Sequence, residues 1–164
     1  MIKAAIINVT GYAGIELARL LHRHPDTELV QVTGRSASGQ KLGDVFPHLS
    51  DINLNVDEEI SASVDVVFSA LPQTASAEAL IPLVEKGVKS IDISADFRLK
   101  SASEYEEWYG VPHPKPQLLE TAAYGLPEIN KSEIKSSSLV ANPGCYPTAA
   151  LLALAPAVRE NIIG

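Results

Sequence analysis

A single cysteine, Cys145, lies in Ala141-Asn142-Pro143-Gly144-Cys145-Tyr146-Pro147-Thr148, just ahead of an apolar run at helical spacing from Ala149 to Val158. A thiol at a helix N-terminus faces unpaired backbone N–H groups and the positive end of the helix dipole, which favours its thiolate. Asn-Pro-Gly before it and Tyr-Pro after it describe a tight turn into a first helical turn, where proline is tolerated and a bulky core contact is hard to arrange. The residue reads as a nucleophile, against the alternative of a buried, inert cysteine.

The second stretch with chemical potential is Thr10-Gly11-Tyr12-Ala13-Gly14, between an almost continuously apolar run, Ile2 to Val9, and the helical pattern of Ile15, Leu17, Ala18, Leu20 and Leu21 that His24-Pro25 stops. Strand, glycine turn and helix form a phosphate-binding geometry, because glycines let the backbone approach a pyrophosphate and the helix start supplies N–H donors. The spacing is Asn8-x-x-Gly11-x-x-Gly14, with Asn8 where the first glycine is usual, and asparagine tolerates the left-handed conformation that turn needs. The two glycines could instead serve only close packing.

A second strand, Glu28 to Thr33, ends at Gly34-Arg35-Ser36, where an NAD site would place a carboxylate for the ribose hydroxyls. Arg35 and Ser36 can instead hold the 2′-phosphate of NADP through a charge-assisted fork and a hydroxyl hydrogen bond. The alternative is a solvated surface arginine.

Further strands are expected over Val64–Ala70, ending at Leu71-Pro72-Gln73, over Ser90–Ser94, and over Ser138–Asn142. A helix capped near Thr74 or Ser76 and running to about Glu85, and short helices over Ser103–Tyr109 and Lys131–Ile134, lie between them. Residues Ala37 to Asp57 read as a long loop with one extended piece near Ile52–Val56, Val111 to Pro116 as a proline-broken loop, and Tyr124 to Ile129 as a turn. Alternating strands and helices argue an α/β doubly wound parallel sheet of Rossmann type, whose ligands bind beyond the carboxyl ends of the strands. Thr10–Gly14, Arg35-Ser36, Leu71-Pro72, Ser94–Arg98 and Asn142–Cys145 therefore converge on one edge. Arg98 could bind an anionic substrate group beside the thiol or pair with Asp96 or another carboxylate. Neither His48 nor His113 is assigned chemistry.

The 164 residues suit one domain able to bury a core, at 46% hydrophobic and 20% charged. A formal net charge of −7 without a long Lys/Arg run argues against nucleic acid as a partner. No apolar stretch reaches membrane-spanning length, and Met1-Ile2-Lys3 leads into a strand-like run rather than a signal peptide, so a cytoplasmic location is expected. Asn8-Val9-Thr10 matches a glycosylation sequon and reads as chance. No metal site is expected.

With these residues assembled, the chain resembles the N-acetyl-gamma-glutamyl-phosphate reductases, the arginine-pathway members of a group that includes aspartate-semialdehyde dehydrogenase. The resemblance is carried by Thr10 to Leu17, Phe46-Pro47-His48-Leu49, Ser94 to Leu99, Tyr124 to Glu128 and Asn142 to Thr148. It implies NADPH-dependent reductive dephosphorylation of a small acyl phosphate, with Cys145 catalytic and Arg98 and Asn142 contacting substrate. NADP contacts are expected from the Thr10–Gly14 turn, Arg35, Ser36, Leu71, Pro72, Ser94 and Gly144. Asn8 in place of glycine is a departure that bears on the exact shape of the turn.

Family members continue into an α+β domain that supplies a histidine acid/base and much of the oligomer interface. The resemblance thus implies that residues 1–145 are the NADP-binding domain, that 146–164 lead toward a substrate domain, and that the complete chain is a homo-oligomer. None of His22, His24, His48 and His113 matches the family's histidine. Other readings are an NADP(H)-binding module without turnover and a related acyl-phosphate reductase, of lysine-pathway or aspartate-semialdehyde type.

Overall fold

Strands that are apolar on both faces need cover on both sides, and the computed structural model, which describes residues 1–163, provides it. The strands are β1 (Ile2–Ile7), β2 (Thr27–Thr33), β3 (Val56–Asp57), β4 (Val66–Ser69), β5 (Lys89–Asp92), β6 (Ala123–Tyr124) and β7 (Leu139–Ala141). All pair in parallel, in the order β3-β2-β1-β4-β5-β7-β6. Between them lie α1 (Tyr12–His22), α2 (Leu42–Val45), α3 (Ala75–Glu85), α4 (Ala102–Tyr109), α5 (Gln117–Thr121) and α6 (Pro127–Ser136), and α7 (Cys145–Arg159) follows β7. The strand order reverses between β1 and β4, the switch point of a doubly wound Rossmann-type sheet.

Alternation along the strands divides the core into two layers. Ala4, Ile6 and Val66 pack with Ala18, Leu21 and Val32, whereas Ala5 and Val67 pack with Leu80, Phe97 and Tyr105. No helix among the described residues is long and apolar enough to cross a membrane. Helix α7 is apolar along most of its length yet has no buried residue, and Leu154 and Val158 are 51% and 54% exposed.

Several local expectations are corrected. The Ala37–Asp57 segment is built from short helical turns at Arg35–Ala37 and Pro47–Leu49, from α2, and from β3, which pairs with the end of β2. Leu42, Leu49, Ile52 and Val56 from this segment are buried in the first layer, so tertiary packing supplies the order that sequence periodicity lacks. Tyr124 ends edge strand β6 rather than opening a turn, and α6 begins at Pro127, where proline lacks only an amide that a first turn leaves unpaired. His113 is buried at 5% exposure, its ring edge-on to Phe97 and Tyr105 with centroids 5.1 and 4.9 Å away.

The glycine turn holds two geometric demands. Asn8 takes φ +65°, the left-handed conformation asparagine tolerates, and its Nδ2 donates to the Ala70 carbonyl at 2.9 Å. Gly14 sits so close to β1 that a Cβ would lie 2.4 Å from the Asn8 carbonyl oxygen and 2.7 Å from the Val9 Cα, both backbone atoms that cannot yield. Gly14→Ala is expected to destabilise the fold by about 1–3 kcal/mol, read from the denaturant midpoint.

Burial pushes the His113 imidazole below its ordinary 6.5, against the opposing pull of the Asp96 carboxylate. The folded chain then binds fewer protons than the unfolded one just below 6.5, so stability is held above that pH and lost as pH falls through the lower folded value. His113→Asn, which keeps an acceptor for the Lys115 N–H that Nδ1 takes at 3.1 Å, should flatten this part of a plot of unfolding free energy against pH.

Candidate functional site

The site is made by register. Ile7 pairs with Ser69, Ser69 with Asp92 and Asp92 with Ala141, so β1, β4, β5 and β7 end level. The segments that follow are stitched across the edge by backbone bonds: Ala70 N–H to Ile7 O at 2.9 Å, Ile93 N–H to Ser69 O at 3.0 Å, and Asn142 N–H to Asp92 O at 2.7 Å. A parallel sheet thus turns the starts of α1, α3 and α7, whose first N–H groups have no partner inside the helix, toward the same side.

At α1, Gly11 is the N-cap and no side chain caps the helix. A Cβ on Gly11 would meet only Asn8 Nδ2, at 3.6 Å, and φ is −85°, so folding places no demand for glycine here. Tyr12 is 97% exposed and Ala13 is also exposed, leaving the first turn open. Thr10 links this turn to the end of β2: its Oγ1 donates to Asn8 Oδ1 at 3.4 Å and accepts from Ser36 Oγ at 3.3 Å. A Cβ on Gly34 would approach Thr10 Cγ2 to 2.9 Å. Arg35 and Ser36, both exposed, therefore flank the glycine turn. Leu71 is half-buried and Pro72 exposed, after Ala70, which Asn8 anchors.

At α7, Cys145 is the first helical residue, exposed, behind N-cap Gly144 with no side-chain cap. Arg98 is held against this turn. Its Nε donates to the Asn142 carbonyl at 2.8 Å and its Nη2 to the Ile93 carbonyl at 2.8 Å. Nη1 lies so near that a Cβ on Gly144 would be 3.1 Å from it. The guanidinium is thus fixed beside the residue that precedes the thiol. The Asn142 side chain is half-buried and donates to the Pro143 carbonyl at 3.3 Å.

Pairing of Arg98 with Asp96 is corrected, because Asp96 is fully buried and its oxygens are taken by Thr74 N–H, Ala77 N–H and the Tyr105 hydroxyl at 2.8, 2.8 and 2.9 Å. At α3, Thr74 is the N-cap by position, but neither its side chain nor that of Ser76 caps the helix. Thr74 makes no side-chain cap bond, and Ser76 donates to Asp92 Oδ1 at 2.5 Å while accepting from Ser69 Oγ at 2.7 Å. Ser94 is buried at 8% exposure, and its hydroxyl donates to Asp92 Oδ2 at 2.8 Å and accepts from Asp96 N–H at 3.1 Å. Burial raises the Asp92 pKa, opposed by the donors from Ser76 and Ser94. Sequence reading missed both aspartates as organising groups, since their partners at the start of α3 are 16 to 22 residues away.

Residues 3–137 match the family model described as semialdehyde dehydrogenase, NAD binding domain. A relative from Dehalococcoides mccartyi, named N-acetyl-gamma-glutamyl-phosphate reductase, is 56% identical over 161 residues, which are 98% of this chain and 47% of that protein. Another of that name from Halothermothrix orenii is 51% identical over 168 residues, covering 99% and 48%. The chain spans about half the length of the curated relatives it matches. Among solved structures, aspartate semialdehyde dehydrogenase with NADP from Candida albicans superposes with TM-score 0.73 at 18% identity, covering 98% of this chain and 47% of that one. Aspartate semialdehyde dehydrogenase II from Vibrio cholerae, complexed with ASA, gives TM-score 0.68 at 19% identity, covering 95% and 46%. These two share its fold, and on the extent of the family match the chain belongs to the semialdehyde dehydrogenase NAD-binding domain family.

Proposed function

We propose that this chain is the dinucleotide-binding, cysteine-bearing part of an NADPH-dependent N-acetyl-gamma-glutamyl-phosphate reductase. The observation that carries this reading is the placement of two uncapped helix starts on one sheet edge, α1 behind Gly11 and α7 behind Gly144, the second with Arg98 held at the turn that leads into Cys145. An uncapped helix start is a site for negative charge. The first suits a pyrophosphate, and the second suits a thiolate and the phosphate of an acyl phosphate. The names of the relatives support N-acetyl-gamma-glutamyl phosphate as the substrate.

In this reading Cys145 attacks the acyl carbonyl, the carbon–oxygen bond to phosphate breaks, and a thioester forms on the sulfur as phosphate leaves with the electron pair. Arg98, its Nε and Nη2 fixed on carbonyls, presents its remaining donors to the phosphate and lowers the charge of the leaving group. When bound, NADPH supplies the hydride that reduces the thioester, and collapse of the resulting adduct releases the aldehyde and returns the thiolate. The α1 turn, Ser36 and Arg35 hold the dinucleotide, Arg35 and Ser36 taking the 2′-phosphate. None of His22, His24, His48 and His113 lies on the Ser94–Arg98 or Asn142–Cys145 loops. The proton that passes to and from the adduct is assigned to the second half of the enzyme, which also covers the exposed apolar face of α7 and completes an oligomer. The location is cytoplasmic.

Arg35→Ala is expected to weaken NADPH binding about ten- to hundredfold, the loss of one charge-assisted contact of about 1.5–3 kcal/mol, and to leave NADH binding unchanged. Gly11→Ala should weaken both dinucleotides while leaving the melting temperature in place, since its Cβ meets only one side-chain atom. Calorimetric titration checks each, and equal binding of NADPH and NADH by the unaltered chain would overturn the cofactor assignment.

The activity itself is read as NADP⁺ reduction with N-acetylglutamate semialdehyde and phosphate. The 164-residue chain alone should bind cofactor and stay at background, because a missing acid/base is worth about 10²–10⁴-fold in rate. Adding the second half of a relative should restore turnover, and Cys145→Ser should abolish it. Full activity of the lone chain would overturn the assignment of the proton step.

A further inference from the structure

Thr74, the N-cap of α3, is β-branched yet sits at φ +71°, and no side chain of its own turn caps the helix. Such a backbone persists only where its surroundings determine it. What determines it is Asp96, whose Oδ1 accepts from Thr74 N–H at 2.8 Å and whose Oδ2 accepts from Ala77 N–H at 2.8 Å, from 22 and 19 residues away. The carboxylate is fully buried, and the Tyr105 hydroxyl completes its shell at 2.9 Å. Its own N–H is held by Ser94 Oγ at 3.1 Å.

Asp96 therefore stands between two parts of the site. On one side it fixes the end of the Ala70–Thr74 loop, which carries Leu71 and Pro72. On the other it is two residues from Arg98, whose guanidinium lies at the Cys145 turn. A carboxylate so close to an arginine in sequence would ordinarily draw it into an ion pair. Here the amides of α3 and the tyrosine occupy the carboxylate, so the arginine turns to backbone carbonyls and keeps donors for an incoming anion.

We propose that Asp96 is a positioning residue: it locks the start of α3 to the Arg98 loop and withholds its own charge from Arg98, so that the cofactor loop and the anion-reading arginine stay in register. This rests on the dinucleotide and acyl-phosphate reading above. Of the three helix starts on this edge, the protein's own carboxylate closes α3, and α1 and α7 are left for ligands.

The test uses the 164-residue chain and its Asp96→Asn and Tyr105→Phe variants. Asparagine keeps the size but loses an acceptor for the α3 amides, and phenylalanine keeps the ring but removes one donor. Three readouts are taken: the melting temperature, the Kd for NADPH, and the rate of Cys145 alkylation by iodoacetamide with and without inorganic phosphate. For Asp96→Asn the expected result is an NADPH Kd raised about tenfold and the loss of phosphate protection at Cys145, in a chain that retains its far-ultraviolet circular dichroism. Tyr105→Phe, which keeps the fold even where Asp96→Asn does not, should raise Kd about threefold and weaken protection in proportion. A lowered melting temperature with Kd and phosphate protection unchanged in either folded variant would overturn the proposal and leave the dinucleotide reading standing. Failure of the unaltered chain to bind NADPH at all would overturn both.

Discussion

The amides at the start of a helix have no partner inside it, and a parallel sheet collects several such starts on one side. Everything at the functional edge of this chain follows from how those amides are answered. At α4, Ser101 answers locally by accepting from Glu104 N–H. At α3 the answer arrives from Asp96, through the core. At α1 and α7 the N-caps are glycines, and no side chain answers at all. Fold and site thus come from one constraint, because the register that levels β1, β4, β5 and β7 is also what assembles the open helix starts.

Two buried aspartates share the interior below that edge and do different things. Asp96 receives backbone amides at a helix start, an arrangement suited to negative charge. Asp92 receives hydroxyls from Ser76 and Ser94 and one amide from Ser94, and its carboxyl is pushed up by burial. Its backbone carbonyl meanwhile takes the Asn142 N–H, so the residue joins the serine network to the loop that carries the cysteine. The tyrosine above Asp96 is raised in turn, first by burial and then by its bond to the carboxylate, which keeps the hydroxyl a donor.

Much of this was legible in the sequence wherever the physics is local. The run from Ile2 to Leu21 carries its own strand, turn and helix signals, and the left-handed Asn8 could be expected from the tolerance of its side chain. The cysteine at a helix start was legible because prolines and a glycine punctuate it. What could not be read depends on distant partners. Asp96 looks in sequence like a mate for Arg98, and only the packing of α3 against the Ser94–Arg98 loop gives it other donors. His113 lies in a proline-broken loop with no apolar period around it, and only the fold brings Phe97 and Tyr105 against its ring. The Ala37–Asp57 segment has no period because its apolar residues plug the first core layer singly.

Cys145 is exposed and is the sole cysteine of the 164 residues. Peroxide converts an accessible thiolate to a sulfenic acid, which is rescued when a second thiol condenses with it and otherwise climbs to irreversible acids. This chain has no second sulfhydryl to offer. The thiol that rescues an oxidised Cys145 therefore comes from outside these 164 residues, and the exposure of the sulfur sets how readily that thiol can reach it.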